Sequence, residues 1–353
     1  MNAKSVSGAE STIRFDGRVA IVTGAASGLG RDYATALAAR GAAVVVNDLG
    51  TDPRGNVPLG AGARSPAQSV VDEIEAAGGK AIACHASCAT RAGGAAIVET
   101  ALGAFGRVDV LIHNAGFLRN APFEELTDEQ IRSIMDVHLM AAFYVGQPAW
   151  RAMQAARYGR IVLTSSAAAM FGSVWQANYG AAKAGLVGLM NSLGVEGGKY
   201  GIHVNGLLPC GASRLGQGSD EWPASFHDGM PKDFALVAPG IRNEFVVPMA
   251  IWLASERCKA NRALYTATGG RFARVFVGEA KGWLSEHDSP PSPEDIERHL
   301  VEIDDTTRFD QPKSVWEEFE SIISGYRAAA KQLPDPAWPD ANEKKERDME
   351  KRS

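Results

Sequence analysis

Cysteine is scarce in this chain: only Cys84, Cys88, Cys210 and Cys258 occur in 353 residues, and none stands in a Cys-x-x-Cys pair. A disulfide scaffold is therefore excluded, and Cys84, His85 and Cys88 lack the paired spacing of a structural zinc site, so no metal is expected. No apolar run approaches the ~20 residues that a membrane span requires, and the polar stretch from Met1 to Ser11 lacks the basic start and apolar core of a secretory signal. The expected location is the cytoplasm. Basic excess is missing as well: 36 Lys and Arg stand against 41 Asp and Glu, spread rather than clustered, which argues against nucleic acid as a partner. What remains, 45% hydrophobic and 22% charged residues, is the composition of an ordinary folded globular protein.

Residues 1–12 read as a flexible tail, and the fold is expected to begin near Arg14. Short apolar runs then alternate with longer amphipathic stretches. The runs are Val19-Ala20-Ile21-Val22, Ala43-Val44-Val45-Val46, Ala81-Ile82-Ala83, Val108-Asp109-Val110-Leu111-Ile112 and Ile161-Val162-Leu163-Thr164. They suit strands buried on both faces of a parallel sheet. Arg31 to Arg40, Ser65 to Ala77 and Gly93 to Phe105 have helical spacing and supply the crossovers. The pattern predicts an α/β, doubly wound sheet over residues 13–274, within which 211–240, rich in Gly and Pro with isolated large apolar residues, reads as a substrate loop. A helix is expected over Phe245 to Ala254 and a last strand over Ala263 to Ala267, before Gly269-Gly270. A more polar C-terminal extension follows over 275–330, with Ser292 as the cap of a helix at Pro293 to Val301. Residues 331–353 are broken by proline and then charged, and read as a disordered tail.

Thr23-Gly24-Ala25-Ala26-Ser27-Gly28-Leu29-Gly30 falls between the first strand and the first helix. In that context Gly24 permits a tight turn, Gly28 allows a diphosphate to approach the backbone, Gly30 lets the helix pack closely on the sheet, and the free N–H groups of the helix start face the phosphates. Asp48 ends the second strand, where a carboxylate accepts hydrogen bonds from the adenosine ribose and repels a 2′-phosphate. No Arg or Lys stands at Ser27 or Leu49 to neutralise such a phosphate, so NAD is the expected cofactor. An Asp that merely terminates its strand is the alternative.

Tyr179 and Lys183 are spaced i, i+4 and share one helix face. A phenol is a poor base at neutral pH unless a nearby cation stabilises its phenolate, and Lys183 supplies that cation. Ser166 follows the strand Ile161 to Thr164, at the carboxyl end where doubly wound sheets bind ligands, and can hold a substrate oxygen while Tyr179 takes the proton.

Thr23 to Gly30, His113-Asn114-Ala115-Gly116, Ser166 and Tyr179 to Lys183 together resemble the short-chain dehydrogenase/reductases. That resemblance implies about seven parallel strands, a homodimer or homotetramer, and a small-molecule substrate. It also implies cofactor contacts from Ser87, Cys88, Asn114, Ala115, Gly116, Pro209 and Ala212, and from Tyr179 and Lys183 themselves. Where much of the family has an Asn that completes a proton relay, this chain has His138, for which a relay and a packed helix position are equal alternatives.

Gln176-Ala177-Asn178-Tyr179, Val46-Asn47-Asp48-Leu49 and Tyr158-Gly159-Arg160-Ile161 are similar, more narrowly, to the dehydrogenase unit of the peroxisomal multifunctional enzymes of type 2. This likeness covers residues 14–320. It implies oxidation of a (3R)-3-hydroxyacyl-CoA, with a 17β-hydroxysteroid or other bulky alcohol as the alternative substrate. A non-catalytic dinucleotide sensor is a third reading. Arg119 and Arg214 are candidate anchors for CoA phosphates, whereas Phe117, Met170, Phe171, Trp175 and Trp222 would suit a steroid or serve as core.

Overall fold

The computed structural model describes residues 12–51, 55, 65–211, 232–285 and 290–329. Strand β1 (Val19–Thr23) leads through helix α1 (Gly28–Ala39) to β2 (Ala43–Asn47). Helix α2 (Pro66–Ala76), β3 (Lys80–Cys84), α3 (Arg91–Phe105) and β4 (Val110–His113) complete the first half. The second half runs through α4 (Asp128–Met135), α5 (Ala141–Ala156), β5 (Gly159–Thr164), α6 (Ala167–Phe171), α7 (Ala177–Gly197), β6 (Ile202–Cys210), α8 (Val247–Ala254), β7 (Leu264–Thr268) and β8 (Arg271–Val275). No single helix among the described residues is long and apolar enough to cross a membrane.

The sheet order is β3-β2-β1-β4-β5-β6-β7-β8. The first seven strands in sequence are parallel, so their carboxyl ends share one edge, and the order reverses between β1 and β4, where a crevice opens. Alternation along β1 shows why both faces are covered. Ala20 and Val22 enter one apolar cluster with α1 and α8, whereas Val19 and Ile21 enter the other with α3 and α5.

The sheet has one strand more than expected. Gly269 and Gly270 have φ of +58° and +80°, which lets a two-residue turn reverse the chain, and β8 returns antiparallel to β7. The sequence reading stopped at the glycine pair because Arg271 to Val275 is short and carries two arginines, which suit the exposed outer strand it forms.

At the amino ends of the strands, the fully buried Asp109 carboxylate accepts hydrogen bonds from Arg18, Arg107 and the Val19 amide, joining the start of β1 to the start of β4. Arg18 also lies over the Tyr158 ring, 3.7 Å from its centroid.

A second compact unit begins at Phe276. It contains a two-stranded antiparallel ribbon of β9 (Glu279–Ala280) and β10 (Phe309–Asp310), with Phe276 stacked on Phe309. Helix α9 (Pro293–Arg298) opens on a capping box between Ser292 and Asp295, as expected. It ends earlier than predicted, at His299, which stacks on Trp283 and separates it from α10 (Leu300–Ile303). Helix α11 (Val315–Ala329) leaves Trp316 and Phe319 exposed.

Candidate active site

A cavity of about 440 Å³ lies at the carboxyl edge of the sheet, where the loops after β1, β2, β3, β4, β5 and β6 meet. It is lined by Gly24, Ser27, Gly28 and Leu29 from the first loop, Asp48 and Leu49 from the second, and Ser87 and Cys88 from the third. Asn114 to Leu118, Ser166, Tyr179, Lys183 and Pro209 close the remaining walls. The expected cofactor residues among those described, Gly30 excepted, therefore converge on one space. Ala212, Arg214 and Trp222, together with most of the expected substrate loop, lie outside the described residues.

The glycine loop is built for close approach. Gly24 and Gly28 have φ of +65° and +53°, and a Cβ on Gly24 would come within 2.7 Å of the Ala115 Cα. Gly30 is explained differently from the sequence reading: its Cβ would collide with the carbonyl oxygen of Gly24, so it lets α1 pack against the loop rather than the sheet. Helices α2, α3 and α4 are capped by the hydroxyls of Ser65, Thr90 and Thr127, whereas Ser27 makes no such bond and leaves the first N–H groups of α1 unblocked. Asn114 donates through Nδ2 to the carbonyls of Thr23 and Gly24, and the Asn114 and Ala115 amides both donate to the Thr23 hydroxyl.

Asp48 does more than end its strand. Its Oδ2 accepts from the Ala26 amide at 3.0 Å and its Oδ1 from the Gly50 amide at 2.8 Å, so the carboxylate ties β2 to the glycine loop. Each oxygen keeps lone-pair capacity for a ribose hydroxyl. Burial, with Asp48 nearby, pushes the Cys88 thiol up to about 12, so this wall residue stays an uncharged thiol.

Ser166 caps α6, its Oγ accepting from the Ala168 amide at 3.2 Å. Burial pushes the Tyr179 phenol above its ordinary value, and the hydrogen bond with Ser166 opposes that rise. The Lys183 ammonium lies 5.7 Å from the centroid of the Tyr179 ring and donates to the Thr164 carbonyl at 2.6 Å. Burial depresses its pKa to about 7.

His138 sits in a π-helical turn, Asp136–Met140, between α4 and α5, with its ring wholly buried. Its Nε2 lies 2.8 Å from the Phe117 carbonyl and 3.2 Å from the Phe117 amide, and its Nδ1 has no partner among the described residues. The imidazole packs edge-on against Tyr179 at 5.2 Å, and a Cβ on Gly116 would strike it, which explains the glycine there. Burial, reinforced by the charge of Lys183, holds His138 well below its ordinary value, so the ring is neutral. His113 donates from Nε2 to the His138 carbonyl at 2.9 Å, and burial likewise lowers it to about 4.

Among the described apolar residues suggested for a steroid, only Phe117 lines the cavity. Phe171 is 72% exposed, Met170 packs on a core cluster, and Trp175, which has a left-handed backbone, is not in the cavity wall. Arg119 is not in the wall either; its guanidinium pairs with Glu129 and lies over the Phe117 ring. Sequence reasoning missed Val137, Thr164, Ser165 and Gln176, all of which line the cavity. Thr164 and Ser165 adjoin Ser166 and could have been included on that ground, but nothing in the spacing marks Val137 or Gln176.

The profile of the short-chain dehydrogenase family matches residues 18–214, and the chain belongs to this family. It is an oxidoreductase that acts on a CH–OH group of a small molecule with a nicotinamide dinucleotide, NAD or NADP. Among its relatives, peroxisomal multifunctional enzyme type 2 of Mus musculus is 39% identical over 89% of this chain and 40% of its own length. A short-chain type dehydrogenase/reductase of Mycobacterium tuberculosis (strain ATCC 25618 / H37Rv) is 41% identical over 82% of this chain and 94% of its own. Peroxisomal hydratase-dehydrogenase-epimerase of Saccharomyces cerevisiae is 39% identical over 83% of this chain and 31% of its own, so the chain spans less than half of these multifunctional relatives. In structure, the full-length multifunctional enzyme type 2 of Drosophila melanogaster matches 90% of this chain and 51% of its own, with a TM-score of 0.72 and 28% identity.

The depressed Lys183 has a measurable consequence. The folded state binds this proton more weakly than the unfolded chain, so from about pH 7 to about pH 8.5 the unfolded chain holds more protons and stability rises with pH through this group. The thermal midpoint of the cofactor-free protein should climb over that range relative to that of Lys183→Met. Parallel curves would mean that Lys183 titrates as an ordinary lysine.

Proposed function

We propose that this chain is an NAD(H)-dependent dehydrogenase that oxidises (3R)-3-hydroxyacyl-CoA to the 3-ketoacyl thioester. One observation carries the reading: Ser166, Tyr179 and Lys183 open into the same cavity as the glycine loop and the Asp48 carboxylate. The names of relatives support the substrate class, including a hydroxyacyl-CoA dehydrogenase of Mycobacterium tuberculosis that is 38% identical over 56% of this chain.

The residues present fit a dinucleotide. Gly24, Ser27, Gly28 and Leu29 would hold its diphosphate, with the uncapped N–H groups of α1 as donors and Gly30 letting α1 approach the loop. Asp48 would hold the adenosine ribose, Ser87 and Cys88 the adenine side, and Asn114 to Gly116, Pro209 and Lys183 the nicotinamide end. When bound, the oxidised nicotinamide supplies a hydride acceptor and a positive charge.

Ser166 holds the substrate oxygen through its hydroxyl, and Tyr179 takes the hydroxyl proton as general base. Lys183, fixed by the Thr164 carbonyl, stabilises the phenolate that Tyr179 must become. His138 stays neutral and braces the Tyr179 ring; a proton path through it would use Nδ1, the ring nitrogen without a partner among the described residues. The steroid reading loses support because Met170, Phe171 and Trp175 lie outside the cavity wall.

NAD is favoured by the Asp48 charge and by its surroundings. Leu49 and Thr51 beside it carry no charge, and Arg31 is bound to Asp32 and to both carboxylate oxygens of Glu73.

Tyr179→Phe should lower kcat by about 10²- to 10⁴-fold while NADH binding, followed by fluorescence, stays within about twofold. Retained turnover would remove Tyr179 from the chemistry. Asp48→Asn keeps an acceptor for one of the two loop amides but removes the charge, and should reduce the NAD over NADP preference in kcat/KM by about tenfold or more. An unchanged ratio would assign ribose recognition to another residue.

A further inference from the structure

We infer that Gln176 recognises the carbonyl oxygen of the acyl thioester, so that it selects substrates with an acceptor two carbons from the alcohol. The inference rests on the proposed 3-hydroxyacyl activity and adds a specificity residue to it. Gln176 is only 6% exposed, yet it lines the cavity with Ser166 and Tyr179. It stands at the N-cap of α7, three residues before Tyr179, and both side chains border the same cavity.

The backbone that places it is unfavourable on its own. Trp175 has φ of +62°, a left-handed conformation that bulky residues rarely adopt. Such geometry persists only where the surroundings enforce it, and it is concentrated at functional sites. Three hydrogen bonds enforce it here by lacing the turn to the loop after β4. The Ala121 amide donates to the Trp175 carbonyl at 3.2 Å, Gln176 Nε2 to Asn120 Oδ1 at 3.3 Å, and Asn178 Nδ2 to the Arg119 carbonyl at 3.1 Å.

Gln176 is at the N-cap position of α7 but its side chain does not cap the helix. With one amide hydrogen on Asn120, its second N–H and its Oε1 have no partner among the described residues, and the N–H is the group that can donate to a ligand. Turning both carboxamides over would let Asn120 Nδ2 donate to the Gln176 oxygen and again leave a Gln176 N–H free, so the conclusion holds for either consistent orientation of the pair. A polar group kept this way in a cavity wall that also contains Phe117 and Leu118 costs stability unless a ligand or water completes it. A 3-hydroxyacyl thioester does so: with its hydroxyl between Ser166 and Tyr179, its carbonyl oxygen meets a donor one helical turn away. A simple secondary alcohol or a 17β-hydroxysteroid offers no acceptor at that distance.

The test compares kcat/KM for (3R)-3-hydroxybutyryl-CoA with that for a secondary alcohol lacking the carbonyl, in the wild type and in Gln176→Leu. NADH binding is measured alongside to show that each protein is folded. The thioester value should fall about tenfold or more in the variant, the worth of one buried hydrogen bond, while the alcohol value stays within about twofold or remains at background. Gln176→Glu, which is isosteric but repels the carbonyl, serves if Gln176→Leu fails to bind NADH. An unchanged thioester value in a variant that binds NADH overturns the role of Gln176 and leaves the proposed activity standing. Absence of thioester turnover in the wild type overturns both.

Discussion

The Thr23 hydroxyl, which accepts the amide hydrogens of both Asn114 and Ala115, is the contact from which the rest of the site hangs. It closes the carboxyl ends of β1 and β4 onto each other at the point where the strand order reverses. Once they are joined, Ala115 presses on Gly24, Gly116 makes room for the His138 ring, and that ring in turn backs Tyr179. The glycine loop and the Tyr179 phenol are thus connected through four contacts: a buried polar bond, two close approaches permitted by glycines, and an edge-on ring contact. Changes at any of them should reach both ends, since packed interiors transmit displacement rather than absorb it.

The electrostatics of the site follow from the same compaction. Burial works against charge on Tyr179 and on Lys183 alike, raising one and lowering the other. The protein alone therefore holds the pair poised near neutrality, with the Thr164 carbonyl and the Ser166 hydroxyl as the compensating dipoles. The neighbouring His138 and His113 are kept neutral by burial, which spares Lys183 a competing cation.

Much of this was legible in the sequence, because strands buried on both faces announce themselves as continuous Val, Ile and Leu runs and because the glycine loop and the Tyr179–Lys183 spacing have local geometric causes. Less legible was whatever depends on two distant segments meeting. Gly30 answers to Gly24, not to the sheet; Arg119 is drawn to Glu129; Gln176 gains meaning only when Asn120 is laid beside it. The eighth strand was overlooked for another reason: two glycines were read as an end when their positive φ angles make them a reversal. Within the apolar set suggested for a steroid, Phe171 and Met170 fall outside the cavity wall because apolar residues near a site in sequence also serve as exposed surface or core.

The most direct test of the central claim is NADH formation by the purified protein given NAD and, in separate reactions at equal concentration, (3R)-3-hydroxyacyl-CoA, its (3S) isomer and a 17β-hydroxysteroid. Turnover of the (3R) thioester is expected well above that of the other two. Oxidation confined to the steroid or to the (3S) isomer, or none of the three, would contradict the claim.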